Sequence, residues 1–390
     1  MNLQAIQSAL AAEKLDGWLF FDHHHRDPLA YRVLGLSDDA HASRRWYYLI
    51  PAQGEPRKLV HRIEQRQLDT LPGGLATYSR WSEQHAHLRE LLRGANRVAM
   101  QYSPDCAIPT LSLVDSGTVD LIRSLGVDVV SSANLIQQFE ATWTEQQIES
   151  HFRARNAVDR IRHEAFHLIA HKHRDGVAVT ECDVRDFILD QFRRESMITD
   201  HGPIVAANAH ASDPHFEPSR DRDTEIRRGD FVLIDVWAKL NEPNAVYYDI
   251  TWTGVCSSTI PSDIQNVFTI VTGARDAAVS FLQSEIRKGN PLAGYQVDDI
   301  SRGFIDRAGF ADKFVHRTGH SIGTDVHGAG ANIDNFETHD ERRLIPNTCF
   351  SIEPGIYLDD FGIRSEVNVL IRASEAEVTG EIQRELVSIV

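Results

Sequence analysis

Four apolar stretches decide the architecture: FVLIDVWA (231–238), AVYYDITWTG (245–254), TCFSIEPGIYL (348–358) and GIRSEVNVLI (362–371). They form two consecutive pairs, each joined by a short loop, which is the pattern of antiparallel hairpins. Each stretch carries one carboxylate in its apolar centre: Asp235, Asp249, Glu353 and Glu366. An ionised carboxylate is expensive in such a place unless it is paired or bound to a cation. A single one reads most simply as a hydrogen-bonded structural acid. Register makes the set of four more telling. In a symmetric hairpin, paired residues have position numbers with a constant sum. A loop centred on Glu242 then sets Asp235 opposite Asp249, and a turn at Asp359-Asp360 sets Glu353 opposite Glu366. Like charges directly opposed destabilise a sheet, so something positive is expected between them. Arg364, two positions from Glu366, could serve one pair only; metal ions could serve both.

A nitrogen ligand is at hand in His320, within the glycine-containing, polar segment HRTGHSIG (316–323). An isolated histidine is ordinarily a surface or core residue, but four buried acids reverse that reading. Oxygen-rich ligands with one imidazole suit Mn²⁺, with Zn²⁺, Co²⁺ or Fe²⁺ as alternatives. Four carboxylates exceed the needs of one ion. Two divalent ions roughly 3.5 Å apart, bridged by carboxylates and a water or hydroxide, fit better. His215, in the Pro-bounded loop DPHFEPS (213–219), and His327, in DVHG (325–328), are candidates to stabilise an oxyanion or move a proton. Consecutive residues do not converge on one ion in a regular element, so His23-His24-His25 reads as a loop.

Outward from this region, helices are expected at about 145–173, 181–196, 261–287 and 296–308. Thr144 resembles a capping residue at the start of the first. The second part therefore reads as α+β with an antiparallel sheet. The first 140 residues alternate instead. A helix at 2–15 precedes strands at WLFF (18–21), WYYLI (46–50), RVAMQ (97–101) and VDVVS (127–131), with helical stretches near 82–93 and 110–125. That is an α/β pattern. Two domains, 1–140 and 141–390, also suit a chain of 390 residues, since single cores seldom outgrow roughly 250–300.

A net charge of −16 disfavours nucleic acid or an anionic membrane as partner. No apolar run approaches the roughly 20 residues of a membrane span, and the N-terminus lacks the features of a signal peptide. The cytoplasm follows by elimination. Cys106, Cys182, Cys256 and Cys349 form no C-x-x-C pair and read as free, buried thiols.

The segments over roughly 145–371, above all HRTGHSIGTDVHG and SIEPGIY, resemble the creatinase and methionine aminopeptidase superfamily of "pita-bread" metallopeptidases, and within it the Xaa-Pro dipeptidases (prolidases) and aminopeptidase P. The resemblance implies a creatinase-type N-terminal domain and a pita-bread catalytic domain. It implies that Asp235 chelates one metal, that Asp249 and Glu366 bridge both, and that His320 and Glu353 complete the ligand shell of the second metal. Glu353 would be the general base, and His215 and His327 would contact the substrate and the tetrahedral intermediate. It implies too hydrolysis of Xaa-Pro bonds in short peptides, Mn²⁺ or a similar ion, and a homodimer. Four positions depart from the family pattern. Trp237 stands in place of a glycine, Leu240 near a usual tyrosine, Trp252 in place of arginine and Val367 in place of aspartate. They put pocket shape and substrate preference in question. Two other classes remain open: a creatinase-like hydrolase of a non-peptide small molecule, and a binding module without catalysis. The intact ligand set argues against a metal-free enzyme and against a degenerate binder.

Overall fold

A computed structural model describes residues 1–37, 39 and 41–390. By its internal contacts the chain divides into two compact units, Met1–Glu140 and Ala141–Val390.

The first unit is built on a six-stranded mixed sheet of order β4-β3-β2-β1-β5-β6. The strands are β1 (Gly17–Asp22), β2 (Trp46–Pro51), β3 (Arg57–His61), β4 (Gly74–Tyr78), β5 (Arg97–Met100) and β6 (Asp128–Ser131). β1 and β2 are buried along their whole length, which is why they read as continuous apolar runs. Helices α1 (Leu3–Ala12), α2 (Pro28–Leu34), α3 (Trp81–Leu91), α4 (Ser116–Ser124) and α5 (Ala133–Ile136) complete the unit. The helix expected at 110–125 begins later, because Asp115 caps α4 by accepting from the Thr118 N–H and Leu113 and Val114 bond to Gln101 O. β3, β4 and α2 went unread; β3 and β4 carry a weaker apolar signal, with exposed or half-buried positions. His23-His24-His25 is indeed a loop, with His24 and His25 at left-handed φ of 65° and 54°.

In the second unit α6 (Glu145–Arg174) starts at a capping box: Thr144 Oγ1 accepts from Gln147 N–H, and Gln147 Oε1 accepts from Thr144 N–H. Then follow α7 (Glu181–Arg194), β7 (Met197–Ile198), β8 (Ile204–Ala207), β9 (Phe231–Leu240), β10 (Tyr248–Val255), α8 (Ser262–Lys288) and α9 (Gly294–Arg307). β11 (Ser321–Ile322), β12 (Cys349–Ile352), β13 (Gly355–Tyr357), β14 (Gly362–Arg364), β15 (Val367–Ile371), β16 (Ala376–Val378) and β17 (Val387–Ser388) close it. Antiparallel pairing of β9 with β10, of β12 with β15 and of β13 with β14 bears out the two hairpins.

Register is where the expectation needs correction. Asp249 pairs with Trp237 and Asp235 with Thr251, two residues away from the expected partners. Ala245, Val246 and Tyr247 do not join β10, because Val246 N–H goes to Ser150 Oγ and Tyr247 N–H to Gly323 O. A slip of two preserves the side-chain face, so both acids still point the same way. The second hairpin keeps the expected register: Ile352 pairs with Val367 and Gly355 with Arg364. Glu353 and Glu366 sit at the interruption between these ladders, where Pro354 has no N–H to give and Glu353 N–H turns aside to Thr318 O. Of the cysteines, Cys182, Cys256 and Cys349 are buried, but Cys106 is exposed, on a short left-handed turn. Among the described residues no helix is long and apolar enough to cross a membrane.

His151 on α6 is fully buried, its Nδ1 2.7 Å from Tyr247 O and its Nε2 2.7 Å from Thr379 Oγ1. The carbonyl can only accept, so Nδ1 carries the proton and Nε2 accepts from the hydroxyl. Burial lowers its pKa from 6.5 to about 4. Between those values the unfolded chain binds a proton that the folded chain refuses, so stability falls as pH drops through this window and levels off below it. Denaturant unfolding at a series of pH values should show the parent losing on the order of 3 kcal/mol more than His151→Gln between about pH 7 and pH 4. Parallel curves would remove His151 as the source.

Candidate metal centre

The two hairpins bring their acids to one buried place. Asp235 comes from β9 and Asp249 from β10, while Glu353 and Glu366 come from the interruption in the second hairpin. The hairpins are tied together at this point by Asn368 on β15. Its Oδ1 accepts from Asp249 N–H at 3.0 Å, and its Nδ2 donates to Asp249 O at 2.7 Å. Thr251 adds a second tie, accepting at Oγ1 from Arg364 Nε at 3.1 Å and donating to Glu366 Oε2 at 2.9 Å.

His320 is delivered by a loop that only glycine allows. A Cβ at Gly319 would fall 1.9 Å from Ser351 O, so residues 318–320 lie directly on β12. Asp298 and Arg302 on α9 hold this loop from behind. Asp298 Oδ1 accepts from Thr318 N–H at 3.0 Å, and Arg302 donates to the carbonyls of Phe314 and His316. His320 N–H donates to Ser351 Oγ at 2.9 Å, whose hydroxyl donates in turn to Glu353 Oε1 at 2.9 Å.

Ligand atoms of Asp249, His320 and Glu366, all buried, lie within 4.8 Å of one another. Asp235 and Glu353 flank them, and Arg364 reaches both: its guanidinium bonds Asp235 Oδ2, and its Nε is 3.7 Å from Glu353 Oε2. The expectation that Arg364 serves one acid pair only is thus corrected. It touches one member of each, because it lies between the two hairpins. Arg364 also donates to Tyr357 Oη at 3.0 Å and to Pro214 O at 3.2 Å.

One guanidinium does not neutralise four acids. Asp235 Oδ1, Asp249 Oδ1 and Glu366 Oε1 are buried and accept no hydrogen bond among the described residues. Burial first, then Asp235 and Glu353, raise the Asp249 pKa well above the carboxylate range; burial, then Asp249 and Glu353, do the same to Glu366. For Glu353 burial is outweighed by His320 and Arg364, which hold it below its ordinary value. The imidazole is the decisive detail. His320 Nδ1 lies 3.2 Å from Ser321 O, so it carries a proton, and burial lowers the pKa of the ring. The neutral tautomer then aims the Nε2 lone pair at Glu353 Oε1 (3.3 Å) and Asp249 Oδ2 (3.5 Å). A lone pair facing two carboxylates, with three unsatisfied carboxylate oxygens nearby, is a donor set in need of cations. The residues fit divalent metal ions bound by oxygen and one imidazole.

These groups line a cavity of about 420 Å³, which His215 and His327 also line. The His327 ring lies 4.4 Å from that of His320. His215 is carried on an exposed loop beside Phe216, which stacks on His210 at 4.2 Å. Of the four departures from the family pattern, only Trp237 lines the cavity, its Nε1–H donating to Asp200 Oδ1 at 2.7 Å. Trp252 packs instead under Arg162, whose guanidinium carbon is 3.5 Å from its ring centre. Leu240 and Val367 belong to apolar clusters.

Thr251, Asn368, Ser351 and the Asp298–Arg302 pair were not singled out from sequence. Asn368 in the apolar run VNVLI, and Thr251 two residues beyond Asp249 on the same face, carried a signal of the same kind as the acids. Asp298 and Arg302 carried none, since an i, i+4 ion pair on a helix ordinarily lies in solvent.

The profile of metallopeptidase family M24 matches residues 149–373. A protein named "Probable dipeptidase PepE" from Mycobacterium tuberculosis is 26% identical over 345 residues, spanning 87% of this chain and 84% of its own length. The Xaa-Pro dipeptidase of Pyrococcus furiosus is 34% identical over 185 residues, 47% of this chain and 48% of that protein. The crystal structure of dipeptidase PepE from Mycobacterium ulcerans superimposes with a TM-score of 0.73 at 24% identity, covering 99% of this chain and 96% of the other. The fold is that of the pita-bread enzymes, and the chain belongs to metallopeptidase family M24.

Gly319→Ala should lower unfolding stability by about 1–3 kcal/mol in chemical denaturation, as for other overpacked sites. A neutral result would mean that the 318–320 loop does not need its close approach to β12.

Proposed function

We propose that this protein is a Xaa-Pro dipeptidase, hydrolysing the bond between a first residue and proline in dipeptides or short peptides. The observation that carries the reading is the buried convergence of Asp249, His320 and Glu366, with Asp235 and Glu353 beside them. The substrate class is supported by the likeness to an Xaa-Pro dipeptidase. The five residues would hold two divalent ions, Mn²⁺ first, with Zn²⁺, Co²⁺ or Fe²⁺ as alternatives. Asp235 would serve one ion, His320 and Glu353 the other, and Asp249 and Glu366 would be available to both. Bound ions of this kind activate water near neutral pH and polarise the carbonyl to be attacked.

Glu353 acts as the general base. Its depressed pKa keeps it ionised at neutral pH, and the Ser351 hydroxyl fixes its Oε1. His327, next to His320 on the cavity wall, donates a hydrogen bond to the developing oxyanion, and His215 contacts the substrate from the loop that Arg364 holds through Pro214 O. Residues 1–140 form a creatinase-type domain, residues 141–390 the catalytic domain, and the working form is a cytoplasmic homodimer.

With Mn²⁺ present, Ala-Pro should be hydrolysed. Hydrolysis of Ala-Pro-Ala alone would instead make the enzyme an aminopeptidase P. Glu353→Ala should lower kcat by about 10²–10⁴-fold with an unchanged circular dichroism spectrum, and undiminished turnover would exclude Glu353 as base. Adding Mn²⁺ to metal-free protein should raise the unfolding free energy by about 2.7 kcal/mol per site at a hundredfold excess over Kd. Asp249→Asn should abolish that gain. An unfolding curve indifferent to Mn²⁺ would overturn the metal assignment.

A further inference from the structure

The histidine triplet has no part in the metal centre. His23 and His24 line a second cavity of about 560 Å³, formed within the first unit. Its wall also carries Arg26, Arg44, Arg45 and His61, against a single carboxylate, Asp115. In a chain of net charge −16 this is a local reversal of sign. Asp115, whose two oxygens accept from the N–H and hydroxyl of Thr118, both at 2.9 Å, at the start of α4, offsets one of these positive charges. Among the described residues the Arg44 guanidinium bonds to Ser43, at O and Oγ, Glu64 accepts from the Ser43 and Arg44 N–H groups, and neither Arg26 nor Arg45 has an ion-pair partner. His23 registers the same field: burial lowers its pKa, and His24, Arg26 and Arg45 lower it further, against Asp22.

The cluster is held in place by design of the backbone. Buried Asp22, at the end of β1, accepts from the N–H groups of His25 (3.0 Å), Arg26 (2.7 Å) and Asp27 (3.1 Å) and from the Tyr31 hydroxyl (2.9 Å). That clamp stabilises the left-handed conformations of His24 and His25, which cost energy in residues other than glycine. A side chain at the same wall points the other way in polarity: Trp81 is 71% exposed. A large uncovered indole beside a concentration of guanidinium groups offers a flat apolar face next to anion donors.

We propose that this cavity binds a small phosphorylated molecule bearing a planar ring, a nucleotide in chemical class. Arginine forks match phosphate oxygens in pairs, and imidazole N–H groups supply further donors. Three arginines outnumber the two carboxylates beside them, Asp115 and Glu64, and Trp81 stacks on the ring. The site lies outside the residues assigned to peptide hydrolysis and stands or falls independently of them.

Isothermal titration of the full-length chain with ATP and with inorganic pyrophosphate tests this. EDTA is kept present so that cations at the metal centre do not recruit phosphate. The expected result is one saturable site per chain that weakens as salt is raised. Arg26→Gln and Arg44→Gln, both at exposed positions, should each weaken binding by roughly tenfold. Trp81→Ala should weaken ATP and leave pyrophosphate unchanged. No saturable binding of either probe, or affinities untouched by the arginine substitutions, would overturn the site. Equal losses of ATP and pyrophosphate in Trp81→Ala would overturn the planar-ring requirement. Thermal melts of each variant confirm that a loss is not a folding defect.

Discussion

Four carboxylates between apolar hairpins, three of them buried and Glu353 half-buried, repel one another, and the second unit is organised around that repulsion. Arg364 is placed between the hairpins, touching Asp235 on one and Glu353 on the other. It accounts for part of the charge and leaves three carboxylate oxygens without a hydrogen bond among the described residues. Each such atom would ordinarily cost about 1–3 kcal/mol, and a fold does not keep several together without a return. The neutral tautomer of His320, with its lone pair turned toward two acids, fits the set as a candidate cation site.

Holding such a set in place takes more structure than the ligands themselves. Asn368 locks the backbone of Asp249, Thr251 links Arg364 to Glu366, and Ser351 joins His320 to Glu353. Each is a hydrogen-bonding residue inside a buried strand, and each fixes the backbone or side chain of a proposed ligand. Gly319 lets the histidine loop lie against β12, while α9 holds it from the other side through Asp298 and Arg302. Kinship with metallopeptidase family M24 agrees with this economy. Of the positions where the chain departs from the family pattern, Trp237 alone reaches the cavity, while Trp252, Leu240 and Val367 pack elsewhere.

The first unit obeys the same rule with opposite sign. A buried acid, Asp22, spends its acceptors on backbone N–H groups and fixes a loop of histidines and arginine in an otherwise acidic protein. Like charge gathered in a clamped geometry is informative there as at the candidate metal centre, although the arginines are partly solvated while the acids are mostly buried.

The long apolar strands, their pairing as hairpins and the acids within them were legible in the sequence, because burial and side-chain alternation are local properties. Even a register wrong by two residues at Asp235 and Asp249 kept the acids on the correct face, since a strand repeats every two residues. The capping box at Thr144 was legible for the same reason: its partners are three residues apart. What the sequence could not determine were contacts that depend on where separate elements meet. Arg364 bridging both hairpins, Asn368 gripping Asp249 across 119 positions, α9 supporting the histidine loop and the arginine-lined cavity of the first unit all arise from packing. Their energies are set by distances in space that no spacing along the chain encodes.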